Sequence, residues 1–335
     1  MTPNVPGRLH GRPLSATSTD RTKSTARRRR SDAVRPTLNA LYDSFNLADS
    51  ATDPIQIVRR FNRDDDREIV AFCAAGLAFG RVTSVMQSIQ RLVDVMGDRP
   101  AAFVRGFAPA RDGAPLRTFV HRWIRGVDVI ALLWILHQML ERSGSIEAFF
   151  LEGDSGGDDI RDGLESFSSR AMALDLRAAY GRVPSQPGVR YFFPQPSVGS
   201  GCKRLNLFMR WMVRRDALDL GVWSRVSPAR LVVPLDTHVI RVGRCLKLTR
   251  YTSPGWPMAL DITRALRELD PDDPVKYDFS VCHLGMMNAW LPDLASGRPV
   301  PAEGFVLTPA ALRRAAADSG DYKSRSLRYA RAPYR

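Results

Sequence analysis

Pro234-Leu235-Asp236-Thr237-His238-Val239-Ile240-Arg241-Val242 and, upstream of it, Gly199-Ser200-Gly201-Cys202-Lys203-Arg204 are the two stretches on which the reading of this chain turns. In the first, Val239, Val242 and Leu246 recur with helical spacing and mark one face, while Arg241, Arg244 and Lys247 mark another. An Asp directly ahead of such a run stands where a side chain caps a helix N-terminus, so Asp236 is read as an N-cap. In the second, Gly199 and Gly201 allow tight turning before Leu205, Phe208, Met209 and Met212 set the apolar side of another amphipathic helix. The other side of that helix gathers Lys203, Asn206, Arg210 and Arg214 at intervals of three or four residues. Such a face suits a phosphate backbone, and the free amides of the turn and of the helix start could bind a phosphate directly. Each half also fits a plain structural role: a turn feeding a core helix, and a capping Asp.

Together the two stretches resemble the helix-hairpin-helix DNA glycosylase superfamily, in which a glycine-containing hairpin leads to a lysine and a later Val/Leu-Asp-Thr-His segment opens another helix. Leu235-Asp236-Thr237-His238 matches the second signature closely. The hairpin departs from endonuclease III and its relatives, lacking the leading Leu-Pro and the Thr-Ala after the lysine. Lys203 and Asp236 are 33 positions apart, with Asp216, Asp219, Gly221, Trp223 and Pro228 between them, a spacing more like that of archaeal oxidised-guanine glycosylases. Over roughly residues 37–295 the chain also resembles a bacterial family of uncharacterised proteins. That likeness rests on Ala75-Gly76-Leu77-Ala78-Phe79-Gly80-Arg81-Val82, on Lys203 to Arg214 and on Asp273-Pro274-Val275-Lys276-Tyr277-Asp278-Phe279.

The resemblance implies an all-α, two-lobed fold with a helix-hairpin-helix element and a cleft between the lobes. It implies a glycosylase, combined with a lyase, that excises a damaged base from duplex DNA, with an oxidised purine suggested by the spacing. Lys203 would attack the sugar as a neutral amine and form a Schiff base, and Asp236 would stabilise the positive charge that develops on the sugar. Gly199, Gly201, Arg204, Arg210, Arg81, His238 and Arg241 would contact the DNA. The alternative is a noncatalytic DNA-binding helix-hairpin-helix module, which needs the glycines and the basic face but neither the amine nor the carboxylate.

Composition is consistent with an acidic polymer as partner, since the 335 residues carry a net charge of +14. Residues 1–36 hold nine Arg or Lys and two Asp, a net of +7, so half the excess lies in a segment around Arg27-Arg28-Arg29-Arg30 that reads as a disordered basic arm. Residues 296–335 read as a second basic tail. No apolar run approaches the roughly 20 residues that span a bilayer and no signal-peptide core is evident, so a cytoplasmic, nucleoid-associated monomer is expected. Cys73, Cys202, Cys245 and Cys282 form no Cys-x-x-Cys pair, so neither an iron-sulfur cluster nor another metal or cofactor is expected.

Helical periodicity dominates from Pro36 onward, and Asp53-Pro54 reads as a cap and a first helical residue. Residues 67–96 read as one long apolar-periodic stretch in which Gly76 and Gly80 permit close packing. Residues 114–142 read as two helices divided near Gly126. Trp123 and Trp134 are expected in the core, while Tyr191, Phe192, Phe193, Trp211, Phe279, His283 and Trp290 are the aromatic groups from which a base pocket would be drawn.

Overall fold

The computed structural model describes residues 35–36, 38–43, 46 and 53–287. The expected N-terminal arm apart from Arg35 and Pro36, the C-terminal tail and Trp290 lie outside the described residues. The described chain is mostly helical, in keeping with the all-α expectation. It runs through α1 (Ile55–Val58), α2 (Asp64–Leu77), α3 (Val82–Met96), α4 (Pro100–Arg105) and α5 (Pro109–Asp112) to a small antiparallel hairpin, β1 (Val120–His121) and β2 (Ile124–Arg125). After it come α6 (Gly126–Ser143), α7 (Ile146–Leu151), α8 (Arg161–Met172), α9 (Arg177–Tyr180), α10 (Lys203–Val213), α11 (Thr237–Cys245), α12 (Trp256–Arg267) and α13 (Asp278–Met287). No helix among the described residues is long and apolar enough to cross a membrane.

The sequence of α2 is apolar nearly all round from Ile69 to Leu77, and the helix accordingly lies buried at the centre. It packs along α10, where Phe72 meets Phe208 edge-on with ring centroids 5.1 Å apart. Phe167 and Phe193 close the same cluster. At Gly76 a Cβ atom would lie 2.5 Å from Cδ1 of Phe192, so the missing side chain is what lets that ring seat against the helix. The expected continuous stretch over 67–96 is in fact two helices. The chain breaks at Phe79-Gly80, and Gly80 takes φ +104°, a conformation that ordinary side chains rarely adopt.

Two buried acids in α2 serve the backbone. Asp66 accepts the Ala101 amide of α4 at 2.8 Å. Glu68 accepts the Ile146 and Glu147 amides at 2.9 and 2.8 Å and the Trp223 indole N–H at 2.7 Å. The start of a helix leaves amides without intrahelical partners, and these carboxylates supply them for α4 and α7. Burial nonetheless pushes the Glu68 carboxyl above its usual range, with the three donors working against that.

The expected helix ahead of Gly126 is instead the β1–β2 hairpin, paired Val120 to Arg125 and His121 to Ile124. Strands of two residues leave no alternation to read, which is why they escape the periodicity. His121 anchors the hairpin: Nδ1 lies 2.9 Å from Ser88 Oγ and Nε2 lies 3.0 Å from the Phe79 carbonyl oxygen.

Candidate active site

The turn into α10 is tightly constrained. Gly199 sits in the left-handed region at φ +82°, and Cys202 is left-handed as well, at φ +47°. For a residue with a Cβ this costs roughly 1–2 kcal/mol, so the surroundings must hold it. Ser200 Oγ accepts the Cys202 amide at 3.1 Å, and the buried Asn206 side chain donates to the Gly201 carbonyl at 3.1 Å. Lys203 is thereby the first residue of α10, half-buried, and no side chain caps the helix start. Among the described residues Lys203 has no carboxylate in ion-pair contact.

Asp236 caps α11 as its position in the sequence suggests: one oxygen, Oδ1, accepts the amides of His238 at 2.9 Å and Val239 at 2.8 Å. Val239, Val242 and Leu246 face the core as their spacing requires. The second oxygen, Oδ2, accepts the Cys282 thiol of α13 at 3.3 Å. Burial raises the Cys282 pKa well above the ordinary thiol range, Asp236 and Asp278 add to the rise, and Lys203 pulls against it. The carboxylate is thus in contact with the thiol, and the Lys203 charge acts on the same thiol.

Glycines let the elements that carry these residues pack closely. A Cβ at Gly201 would sit 3.3 Å from Leu235 Cδ2, so the α10 turn rests on the residue just ahead of Asp236. At Gly255 a Cβ would fall 2.8 Å from the Gly199 carbonyl oxygen, and at Gly285 it would fall 2.7 Å from His238 Cβ and 3.0 Å from the His238 carbonyl oxygen. The α10 turn, the start of α12 and the pair α11–α13 are thus in close contact around Lys203 and Asp236.

The basic face expected along α10 is not an exposed one. Arg210 is buried and bonds Asp219 through Nε at 3.2 Å and Asp278 through Nη1 at 2.6 Å. Arg214 is buried with Asp219, with Asp273 at 2.8 Å and with Asp216 at 2.8 Å. Burial works against their charged forms, yet the carboxylates together hold both guanidinium pKa values above their usual level. Arg210 is therefore held by carboxylates inside the protein through Nε and Nη1, and its burial keeps it from contacting DNA. Its acidic partners lie up to 68 residues away along the chain, beyond the reach of helical periodicity.

The other expected contacts divide. Arg81 is exposed at the N-cap of α3, and Gly199 is exposed at the turn. His238 is half-buried, with Nδ1 lying 3.2 Å from Arg241 Nη2, so these two side chains engage each other on α11. Arg204 turns inward over the Phe79 ring, its Cζ 5.5 Å from the centroid, and burial draws its pKa down to about 10. Of the aromatic pocket candidates, Phe192, Phe193 and Trp211 are core residues, and Tyr191 is exposed. Trp123 departs from its expected place in the core, being 51% exposed at the tip of the hairpin. Cys282 and Asp278 were not signalled as site residues by the sequence, although the four-residue interval between them puts both on one face of α13. Among the described residues a narrow crevice beside Arg204 is lined by Phe72, Gly76, Phe192, Leu205 and Phe208 and another lies beside Arg210, and neither is lined by Lys203 or Asp236. Among the described residues no group of three or more His, Cys, Asp or Glu is placed to hold a metal ion.

The chain belongs to the family described as protein of unknown function, DUF2400, whose family model matches residues 53–287. No curated protein and no solved structure matches it.

Proposed function

We propose that the protein is a DNA glycosylase with lyase activity that removes a damaged base from duplex DNA. One observation carries the reading: the turn that opens α10 at Lys203 packs through Gly201 against Leu235, the residue ahead of the α11 N-cap Asp236, although the two segments are far apart in the chain. An amine with no ion-pair partner among the described residues suits attack on a sugar carbon. In the proposed step the Lys203 nitrogen bonds to C1′, the bond from C1′ to the base breaks, and the base departs with a proton. The C1′–O4′ bond then breaks, the ring oxygen takes the amine's one remaining proton as a hydroxyl, and the nitrogen lone pair forms the second bond to C1′, leaving an imine. Asp236 offsets the positive charge on the sugar as that bond breaks. Its Oδ1 is fixed by two backbone amides, and a carboxylate has about four lone-pair positions, so Oδ2 retains capacity beyond the single Cys282 thiol. The uncapped amides at the start of α10 offer a phosphate contact beside the same lysine.

Borohydride trapping on a panel of lesion-bearing duplexes tests this. The wild type should yield a covalent protein–DNA adduct with at least one lesion, Lys203→Gln should abolish the adduct while retaining DNA binding, and Asp236→Asn should depress excision more than binding. Excision by Lys203→Gln equal to wild type removes the lysine from the chemistry. Binding without processing of any lesion selects the noncatalytic DNA-binding module.

A further inference from the structure

Exposed aromatic rings gather around Trp123. Trp123 stacks on Phe79 with centroids 4.6 Å apart and planes inclined by 24°, and Tyr191 lies next to it at 5.9 Å. Half of the Trp123 surface and 40% of Tyr191 remain in solvent. Beneath them His121 meets Phe79 edge-on at 4.6 Å and is itself hydrogen-bonded to Ser88 and to the Phe79 carbonyl, so the platform has a fixed base.

The hairpin that presents Trp123 is strained in order to do so. Its register leaves Arg122 and Trp123 as a two-residue loop, and Arg122 takes φ +57° at the first loop position, where such turns ordinarily use glycine. Four arginines surround the rings: Arg204 over Phe79, Arg190 with Cζ 5.6 Å from the Tyr191 centroid, Arg122 against Gly80, and Arg81 next in the chain. Among the described residues none of the four is paired with a carboxylate. Rings open on one side and guanidinium groups without counter-charges match the two components of an unpaired stretch of nucleic acid, the flat bases and the phosphates.

We propose that Trp123, backed by Phe79 and flanked by Tyr191, is a stacking platform for unpaired bases of single-stranded DNA, with Arg81, Arg122 and Arg190 engaging the adjoining phosphates. The choice of DNA over RNA rests on the function proposed above, whereas the stacking itself does not depend on excision.

The test uses the full-length protein and an undamaged oligothymidylate, so that failure of base excision and failure of the platform are read separately. Fluorescence anisotropy should record binding, and tryptophan emission should be quenched. Trp123→Ala should weaken binding about 10- to 100-fold. Trp123→Phe should restore most of the affinity while losing most of the quench. Arg122→Gln should lessen the dependence of affinity on salt by about one phosphate contact. Trp123 is exposed, and an unchanged thermal transition will verify that the variants fold. Equal affinity of Trp123→Ala and wild type, the absence of oligothymidylate binding, or tighter binding of oligouridylate than of oligothymidylate would each overturn the proposal.

Discussion

Replacing Asp219 with Ala removes the carboxylate shared by two buried guanidinium groups. The Asp219 side chain is wholly buried, one oxygen accepting Arg210 Nε at 3.2 Å and the other accepting Arg214 Nη1. At an effective dielectric near 20, two unit charges 3.2 Å apart attract by roughly 5 kcal/mol. Two such attractions disappear, and the energy once spent on desolvating the Asp219 carboxylate is recovered in part. Arg210 keeps Asp278, and Arg214 keeps Asp216 and Asp273, so neither cation is left wholly unpaired. The net loss should be about 3–5 kcal/mol, the range for breaking a buried pair from one side. In a unit of this size that lowers Tm by roughly 6–20 °C. Urea unfolding followed by far-UV circular dichroism, with Arg225→Ala as the exposed comparison, measures it. Arg225 reaches Glu147 at 3.4 Å with over half of its side chain in solvent, so its loss should cost under about 1 kcal/mol. If Asp219→Ala lies within 1 kcal/mol of wild type, the network does not brace the fold and the buried-charge argument fails.

Other outcomes follow from the same geometry. Asp278 is pushed up to about 6, mainly by burial, with Arg210 opposing. A carboxyl whose pKa is raised on folding loses stability as pH climbs from its unfolded value of 3.8 through its folded one, so the stability of wild type minus that of Asp278→Asn should fall by up to about 3 kcal/mol between pH 4 and pH 7. A difference that is level or rises over that window contradicts the assignment. Because Cys282 is held protonated, its alkylation by iodoacetamide at pH 8, read by peptide mass spectrometry, should lag far behind that of free cysteine, and prompt modification would contradict its burial. Gly285→Ala places a methyl group against the His238 backbone, which cannot rotate aside, and should destabilise the protein by about 1–3 kcal/mol in denaturant titration; an unchanged midpoint would mean α11 and α13 are not in close contact.

What the sequence revealed of this fold was local. Asp236 reads as a cap because an acid ahead of a helical run has one obvious partner, the amides two and three residues on, and those are the bonds it makes. The apolar faces of α10 and α11 follow from period alone, and Leu205, Phe208, Met209, Val239 and Val242 are buried accordingly. Arg210 and Arg214 resisted the same treatment because an arginine on the polar side of a helix looks alike whether water or a carboxylate lies opposite. The deciding acids are on the segment after α10 and at the start of α13. Trp123 resisted for the converse reason: a large apolar residue is assigned to the core by default, and only the two-residue loop of the hairpin turns it outward. Cys282 meets Asp236 across 46 residues, a contact that no local pattern encodes.

The ion pair from Arg210 to Asp278 ties α10 to α13, and the thiol bond from Cys282 to Asp236 ties α13 to α11. Lys203 and Arg210 are seven residues apart, two turns and about 10 Å along α10, so they share an azimuth on that helix. Asp278 and Cys282 are one turn apart on α13 and share an azimuth there. Fixing Arg210 to Asp278 therefore sets the roll of α10 about its own axis relative to α13, and with it the direction in which the amine two turns away leaves the helix. Loosening the far end of this lever should show itself at the near end as a wider spread of Lys203 side-chain orientations, with the secondary structure intact.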